Sequence, residues 1–416
     1  MDLSPLRRRD FRILYLGQFV SFFGSMMSNV ALPFVLYQAT KSTVWLGTLG
    51  VINLAPSVVG GLFGGALADA VDRRRLIVAC ELGMAVITLA MGVALSQLAP
   101  AYPHPVWMLA ASAGIAVLNG MHRPALEALS PRLVEKSELP ALGVLNSLRG
   151  NVGMIGGPAV AGLLIANGYA DYAFYLDFVT FSICIVCVLA LRNVPKVERA
   201  AKLSLGAVQE GFRYALSRPD LIGTYVVDII AMTFSMPNLL FPAVAEAFGD
   251  TAYLGWLHTG ISIGALVATL SSGFYLKTRR HGFMILVAAG GWSVAMIGFG
   301  MARSFPIAMA FLIIAGYADM VSAVFRQTIW NQTIPDELRG RLAGLEMISY
   351  LSGPMLGNTQ LGLLSSAIGV QRAITFSSML GVGGVIACAR LLPGFRTYLA
   401  PATTLKEAES AQPQSA

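Results

Sequence analysis

The chain has 416 residues, 56% hydrophobic and only 12% charged, with a mean hydropathy of +0.67 and a formal net charge of +7. Soluble domains carry about 25% charged residues, so most of this chain must lie in lipid rather than water. Nucleic acid is excluded as the reason for the positive charge, because the basic residues are spread between apolar runs in a topological pattern.

The first segment follows Arg7-Arg8-Arg9-Asp10-Phe11. This loosely imitates a twin-arginine export signal. The apolar run is too long for a signal core and no small-residue cleavage site follows, so it reads as a retained first helix with a basic flank. Runs long enough to span a bilayer are expected at roughly 11–38, 44–70, 76–98, 105–128, 139–167 and 171–192, then at roughly 220–247, 251–276, 282–302, 305–330, 341–366 and 370–392. The expected fold is an all-α membrane protein with twelve transmembrane helices in two pseudo-symmetric six-helix bundles. Of the 29 basic residues, 25 fall in alternate connections on one side, against Lys41, Arg303 and Arg372 on the other. The positive-inside rule puts both termini in the cytoplasm.

The second segment ends in Gly65-Ala-Leu-Ala-Asp69-Ala-Val-Asp72-Arg73-Arg74-Arg75. Gly61 and Gly65, like Gly60 and Gly64, are four apart on one helix face, where absent side chains admit a neighbouring backbone. Asp69, one turn on, is placed to cap a neighbouring helix or pair with Arg73, in contacts that form in one state and break in another. The positive-inside rule alone explains the arginines but not the glycine–aspartate register. The equivalent place in the second half reads Gly273-Phe-Tyr-Leu-Lys277-Thr-Arg279-Arg280, with lysine where the aspartate stood.

The fifth segment carries Gly153-Met-Ile-Gly156-Gly157-Pro158-Ala-Val-Ala-Gly162. A proline inside a helix thinned by glycines predicts a kinked, closely packed element. Ordinary tight packing is the alternative. The polar stretch 193–218 divides the chain and places Leu205, Val208, Phe212 and Ala215 at helical spacing, as in an amphipathic helix on the inner leaflet. The expected organisation is 1–192 as one bundle, 193–218 as linker, 219–395 as the second bundle and 396–416 as a disordered tail. The halves echo each other. Arg123 and Arg326 each close a segment, a new helix follows each, and Gly157-Pro158 is matched by Gly353-Pro354, at offsets close to 200 residues. Duplicated halves with a mid-membrane site are the build of many secondary transporters.

These features resemble the major facilitator superfamily, whose loop motif lies between helices two and three. The glycine-proline helix is similar to that of its exporting, drug/proton antiporter branches. Asp10-Phe-Arg12, Ala31-Leu-Pro33, Pro131-Arg-Leu-Val134 and Gly157-Pro158 resemble the subgroup containing the enterobactin exporter and macrolide efflux proteins. The resemblance runs to about residue 395. Asp72 stands where the loop motif usually has glycine, and Ala161 replaces one glycine of the fifth helix.

Charges at membrane depth carry the remaining information. Each is unfavourable by roughly 2.5–3.5 kcal/mol at a helix centre, so each implies a partner or a role. Asp228 and Asp319 are the proton-coupling candidates. The resemblance puts helices one, four, seven and ten around the cavity, which would place both there; a fixed ion pair with Arg149 or Arg326 is the alternative. Arg149, Asn29, Asn119, His122, Asn146 and Tyr317 are cavity candidates. Gly65, Asp69, Arg73, Arg74, Arg75, Glu127 and Glu346 form the gating set, and Gly153, Gly157, Pro158 and Gly162 the antiporter-like helix. The four cysteines lie inside apolar runs, and the Cys184–Cys187 pair reads as inert packing. The four histidines are scattered, so no metal site and no membrane-embedded enzyme is expected. No Gly-x-x-x-x-Gly-Lys-Ser/Thr loop occurs, so no nucleotide or other cofactor is expected. The reading is a proton-coupled exporter of a small amphipathic molecule, siderophore- or drug-like, working by alternating access in a bacterial inner membrane. Its partners are that substrate, protons and membrane lipids, with no nucleic acid and a monomer as the default. An importer or lipid flippase of the same fold, and a non-transporting sensor, are the rivals.

Overall fold

The computed structural model describes residues 3–97, 104–192 and 213–400. Helices stand at all twelve expected places: α1 Arg9–Thr40, α2 Thr43–Ala70, α3 Arg73–Gln97, α4 Pro105–Leu129, α5 Leu139–Ala166, α6 Tyr172–Leu189, α7 Pro219–Ser235, α8 Tyr253–Leu270, α9 His281–Met301, α10 Phe305–Thr333, α11 Asp336–Ile368 and α12 Val370–Leu391. Among the described residues, ten helical spans are long and apolar enough to cross a membrane on length and composition alone.

The seventh expected span is broken. Met236 precedes Pro237 and adopts φ −113°, ψ 91°, the extended backbone that a following proline favours. The chain then resumes as a 3-10 turn at Asn238–Leu240 and a short helix at Phe241–Ala247. The eighth also breaks, into α8 and a short helix at Ser272–Tyr275. Most of the expected linker, 193–212, lies outside the described residues, as does the tail from 401; residues 213–217 are helical.

The described helices divide into two compact units, and the division does not follow the two halves. The first unit holds residues 1–203 with 238–259 and 358–367. Its helix neighbours are α1 with α5 and α6, α3 with α4 and α6, and α2 with α4. The borrowed segments join it through glycine contacts. A methyl group on Gly162 of α5 would stand 2.6 Å from the Cα of Gly255, and one on Gly47 of α2 2.9 Å from the carbonyl oxygen of Thr359. Only hydrogen at these positions permits backbone-to-backbone packing. Asn358 Oδ1 accepts the backbone N–H of Leu239 at 3.0 Å. Lys41, in the left-handed region at φ 49° as it ends α1, places its Nζ 2.6 Å from Glu246. The close glycine approach is the physical reason these segments leave their own half.

The second unit holds residues 204–237, 260–357 and 368–416. Here α9 packs on α10 and α12, and α7 on α12 and α9. The pairs α9–α10, α9–α12 and α7–α12 repeat α3–α4, α3–α6 and α1–α6 about 200 residues on, as duplication requires. Residues 396–400, expected to begin a tail, are held in place: Phe395 is fully buried against Gly223 and Gly282, and Arg279 exchanges hydrogen bonds with the backbone of Ala400.

Candidate functional site

Two polar constellations lie inside the apolar helices, one in each unit. In the first unit, Gln18, Ser21, Ser25 and Ser28 recur at helical spacing on α1 and form a polar stripe on an apolar helix. Glu81 of α3 has no solvent exposure and meets this stripe. Gln18 Nε2 donates to Glu81 Oε1 at 3.1 Å, Ser21 Oγ donates to Oε2 at 3.1 Å, and Cys184 Sγ of α6 donates to Oε1 at 3.2 Å. His122 Nε2 of α4 lies 3.0 Å from the same Oε1. A second buried carboxylate, Asp177 of α6, accepts from Ser28 Oγ at 2.6 Å further along the stripe. Glu81 and His122 line a 350 Å³ cavity whose wall also includes Asn119, Arg149 and the rings of Phe22 and Phe181. The Arg149 guanidinium sits over the Phe22 ring at 5.9 Å, a cation–π contact that holds the charge against an apolar wall.

In the second unit, Arg326 of α10 is 2% exposed and Asp228 of α7 5%. Arg326 Nη1 pairs with Asp228 Oδ1, and Asp319, seven residues earlier on α10, lies 4.0 Å from Nη2. Ser349 Oγ of α11 donates to Asp228 Oδ2 at 3.4 Å, and the guanidinium lies 5.9 Å from the Tyr350 ring centroid. Arg326 Nε is buried and has no hydrogen-bond partner among the described residues. The Asp319 side chain retains 35% exposure. One guanidinium therefore serves two carboxylates, one tightly and one loosely.

At the α2–α3 connection the surroundings of Gly65 and the side chain of Asp69 lie outside what is described. Its arginines are placed: Arg73 is buried and donates to the carbonyl of Ala128 at the end of α4 at 3.3 Å, and Arg74 donates to that of Leu189 at the end of α6. Cations at helix C-termini satisfy orphan carbonyls and meet the negative end of the dipole. Asp72 accepts the backbone N–H of Arg74 at 2.8 Å and of Arg75 at 3.3 Å, so it N-caps α3. This gives the departure from glycine at that position a physical account. Arg8 pairs with Glu135 and Glu138 across the same end of the first unit, which raises its pKa.

Three glycines of α5 face α1: Phe22 fills the space beside Gly153, Phe23 that beside Gly156 and Met26 that beside Gly157, with Pro158 buried next to them. The helix is unbroken from Leu139 to Ala166. Of the cavity candidates, Asn119, His122 and Arg149 come together in the first unit. Asn29 is exposed and Asn146 half-buried, and neither lines that cavity. Tyr317 is in the second unit, where its hydroxyl accepts from Ser271 at 3.2 Å. Of the acidic gate candidates, Glu127 makes an exposed pair with Arg123 at 2.8 Å, and Glu346 is half-buried on α11. The sequence assigned Glu81 no role and read Cys184 as packing. The structure joins them to Gln18, Ser21 and His122, and the α1 polar stripe was the signal that pointed there.

Repeated helix neighbours, apolar spans and buried charge clusters define an all-α, multi-pass integral membrane protein of the major facilitator type. The chain belongs to the transmembrane secretion effector family, whose profile matches residues 1–412. It is 26% identical over 402 residues to the enterobactin exporter EntS of Shigella boydii serotype 18, covering 94% of this chain and 93% of that protein, and equally similar to the enterobactin exporter EntS of Escherichia coli O1:K1. Among solved structures it resembles the nucleoside transporter NupG, with a TM-score of 0.74 at 13% identity over 93% of this chain and 99% of that one. It also resembles a bacterial homologue of the human lysosomal transporter Spinster in an inward-facing conformation, with a TM-score of 0.73 at 16% identity over 96% and 100%. These structural likenesses define the fold alone.

Proposed function

We propose that this protein is a proton-coupled secondary transporter that exports a small amphipathic molecule, siderophore- or drug-like, across a bacterial inner membrane by alternating access, with both termini in the cytoplasm. It acts as a monomer and as a transporter rather than an enzyme, with membrane lipids around it and no cofactor. The observation that carries the coupling is the Asp228–Arg326–Asp319 cluster. Two carboxylates sharing one guanidinium leave one negative charge uncompensated among apolar helices, and a proton neutralises it. Asp228, tied to Arg326, is the fixed partner. Asp319, looser and partly exposed, is the group that takes and releases the proton. The end-to-end similarity to enterobactin exporters supports the direction and the substrate class. In this reading the glycine contacts of Gly47, Gly162, Gly255 and Gly362 form a closed outer gate, and the Arg73–Arg75 end faces the cytoplasm.

The test is uptake into inverted membrane vesicles, which reads as export from cells. Enterobactin and a macrolide serve as probes, with and without an imposed proton gradient. Gradient-dependent accumulation is expected for the wild type, reduced at least tenfold in Asp319→Asn. Full gradient-dependent uptake in both Asp228→Asn and Asp319→Asn would overturn the proton assignment, and accumulation in right-side-out vesicles would make the protein an importer.

A further inference from the structure

We propose that Glu81 and His122 form a second proton-exchange site, in the first unit, with Glu81 as a fixed anion and His122 as the group that gains and loses the proton. Three observations carry it. First, donors converge on both Glu81 oxygens: Gln18 and Cys184 reach Oε1 and Ser21 reaches Oε2. A carboxylate so surrounded is satisfied as an anion and needs no proton of its own. Second, His122 Nε2 stands 3.0 Å from Glu81 Oε1, so a hydrogen must lie between them. With Glu81 ionised, that hydrogen belongs to the imidazole, and Nε2–H donates. The second ring nitrogen, Nδ1, then sets the charge. Third, the two residues differ in access: Glu81 has no exposed surface, whereas His122 keeps 9% side-chain exposure and both border the 350 Å³ cavity.

The proton balance is simple. A proton from cavity water bonds to Nδ1 while Nε2–H holds on Glu81 Oε1, and the pair changes from net −1 to net zero. Loss of the Nδ1 proton to the cavity reverses it, with no other bond made or broken. An isolated anion among apolar helices is unfavourable and an ion pair less so. Among the described residues, the titratable and charged groups that share the cavity lining or interact with Glu81 are Cys80 on α3, Arg123 and Glu127 on α4, Arg149 on α5, and Asp177 and Cys184 on α6. A transporter with a proton site in each half is biased by the gradient in both. The role in transport rests on the coupled reading above; the protonation does not.

The experiment is therefore spectroscopic and needs no substrate. The full-length protein, labelled with 15N-histidine and held in lipid nanodiscs, contains four histidines, and His122→Gln identifies the signal by its loss. Between about pH 5 and pH 9 the His122 ring nitrogens of the wild type are expected to pass from the imidazolium pattern to a neutral ring bearing its hydrogen on Nε2. Glu81→Asp, which keeps the anion, retains the transition. Glu81→Gln, which keeps the shape and removes the charge, leaves His122 neutral across the range. A wild-type His122 locked in one state throughout would overturn the proposal, and so would a Glu81→Gln protein that titrates as the wild type does. Should Glu81→Gln fail to fold, the wild-type and Glu81→Asp titrations decide the matter.

Discussion

Removing Arg326 is the sharpest perturbation of the second unit, and its effect follows from an asymmetry. Arg326 and Asp228 are 2% and 5% exposed and paired directly, and Asp319 stands 4.0 Å from the same guanidinium. Arg326→Gln strands two carboxylates with no cation between them. Breaking a buried pair from one side destabilises by about 3–5 kcal/mol. Asp228→Asn leaves the guanidinium free to turn to Asp319, so its loss is smaller, about 1–3 kcal/mol. Asp319→Asn removes a loose partner with 35% side-chain exposure, for which about 0–1 kcal/mol is expected. For units of 150–250 residues each kcal/mol is worth about 2–4 °C in Tm, so Arg326→Gln melts roughly 10 °C below the wild type. Thermal unfolding of the three variants in one detergent, followed by circular dichroism, gives the order directly. The double variant Asp228→Asn with Arg326→Gln should recover part of the loss, because no unpaired charge is left at that pair. If Asp319→Asn is as destabilising as Arg326→Gln, the loose and tight partners have been assigned the wrong way round. The proton-carrier role given to Asp319 then fails with them.

Asp72 caps α3 by accepting two backbone N–H groups. Asp72→Ala should therefore lose about 1 kcal/mol, whereas Asp72→Gly should lose only a few tenths, a difference read in paired melting curves. Phe395 is fully buried beside Gly223 and Gly282. Phe395→Ala is expected to destabilise by about 3–5 kcal/mol, and a melting temperature equal to the wild type would show that residues 393–400 do not stabilise the second unit.

The hydropathy and spacing of the sequence determined twelve helices, their duplication and a family, because a bilayer admits few solutions to backbone hydrogen bonding and each span must be about 20 apolar residues long. Single ionisable residues at membrane depth were legible for the same reason: Asp228, Asp319 and Arg149 stood out against an apolar background. Their partners were not. A helix shows 3.6 residues per turn in its sequence, but not which neighbour each face meets, so Glu81 could be placed on α3 without Gln18, His122 or Cys184 beside it. The α1 stripe of Gln18, Ser21, Ser25 and Ser28 held half of that information, and the positions of α3, α4 and α6 supplied the rest. The sequence left Arg149 and Arg326 both open as partners for Asp228 and Asp319; distance gave Arg326 Asp228 tightly and Asp319 loosely. The glycines of α5 suggested close packing, but only the fold set Gly162 against Gly255, nearly a hundred residues away. Local chemistry writes the helices into the chain, whereas contacts between distant segments depend on how side-chain volumes interlock, and that appears only when the helices are assembled.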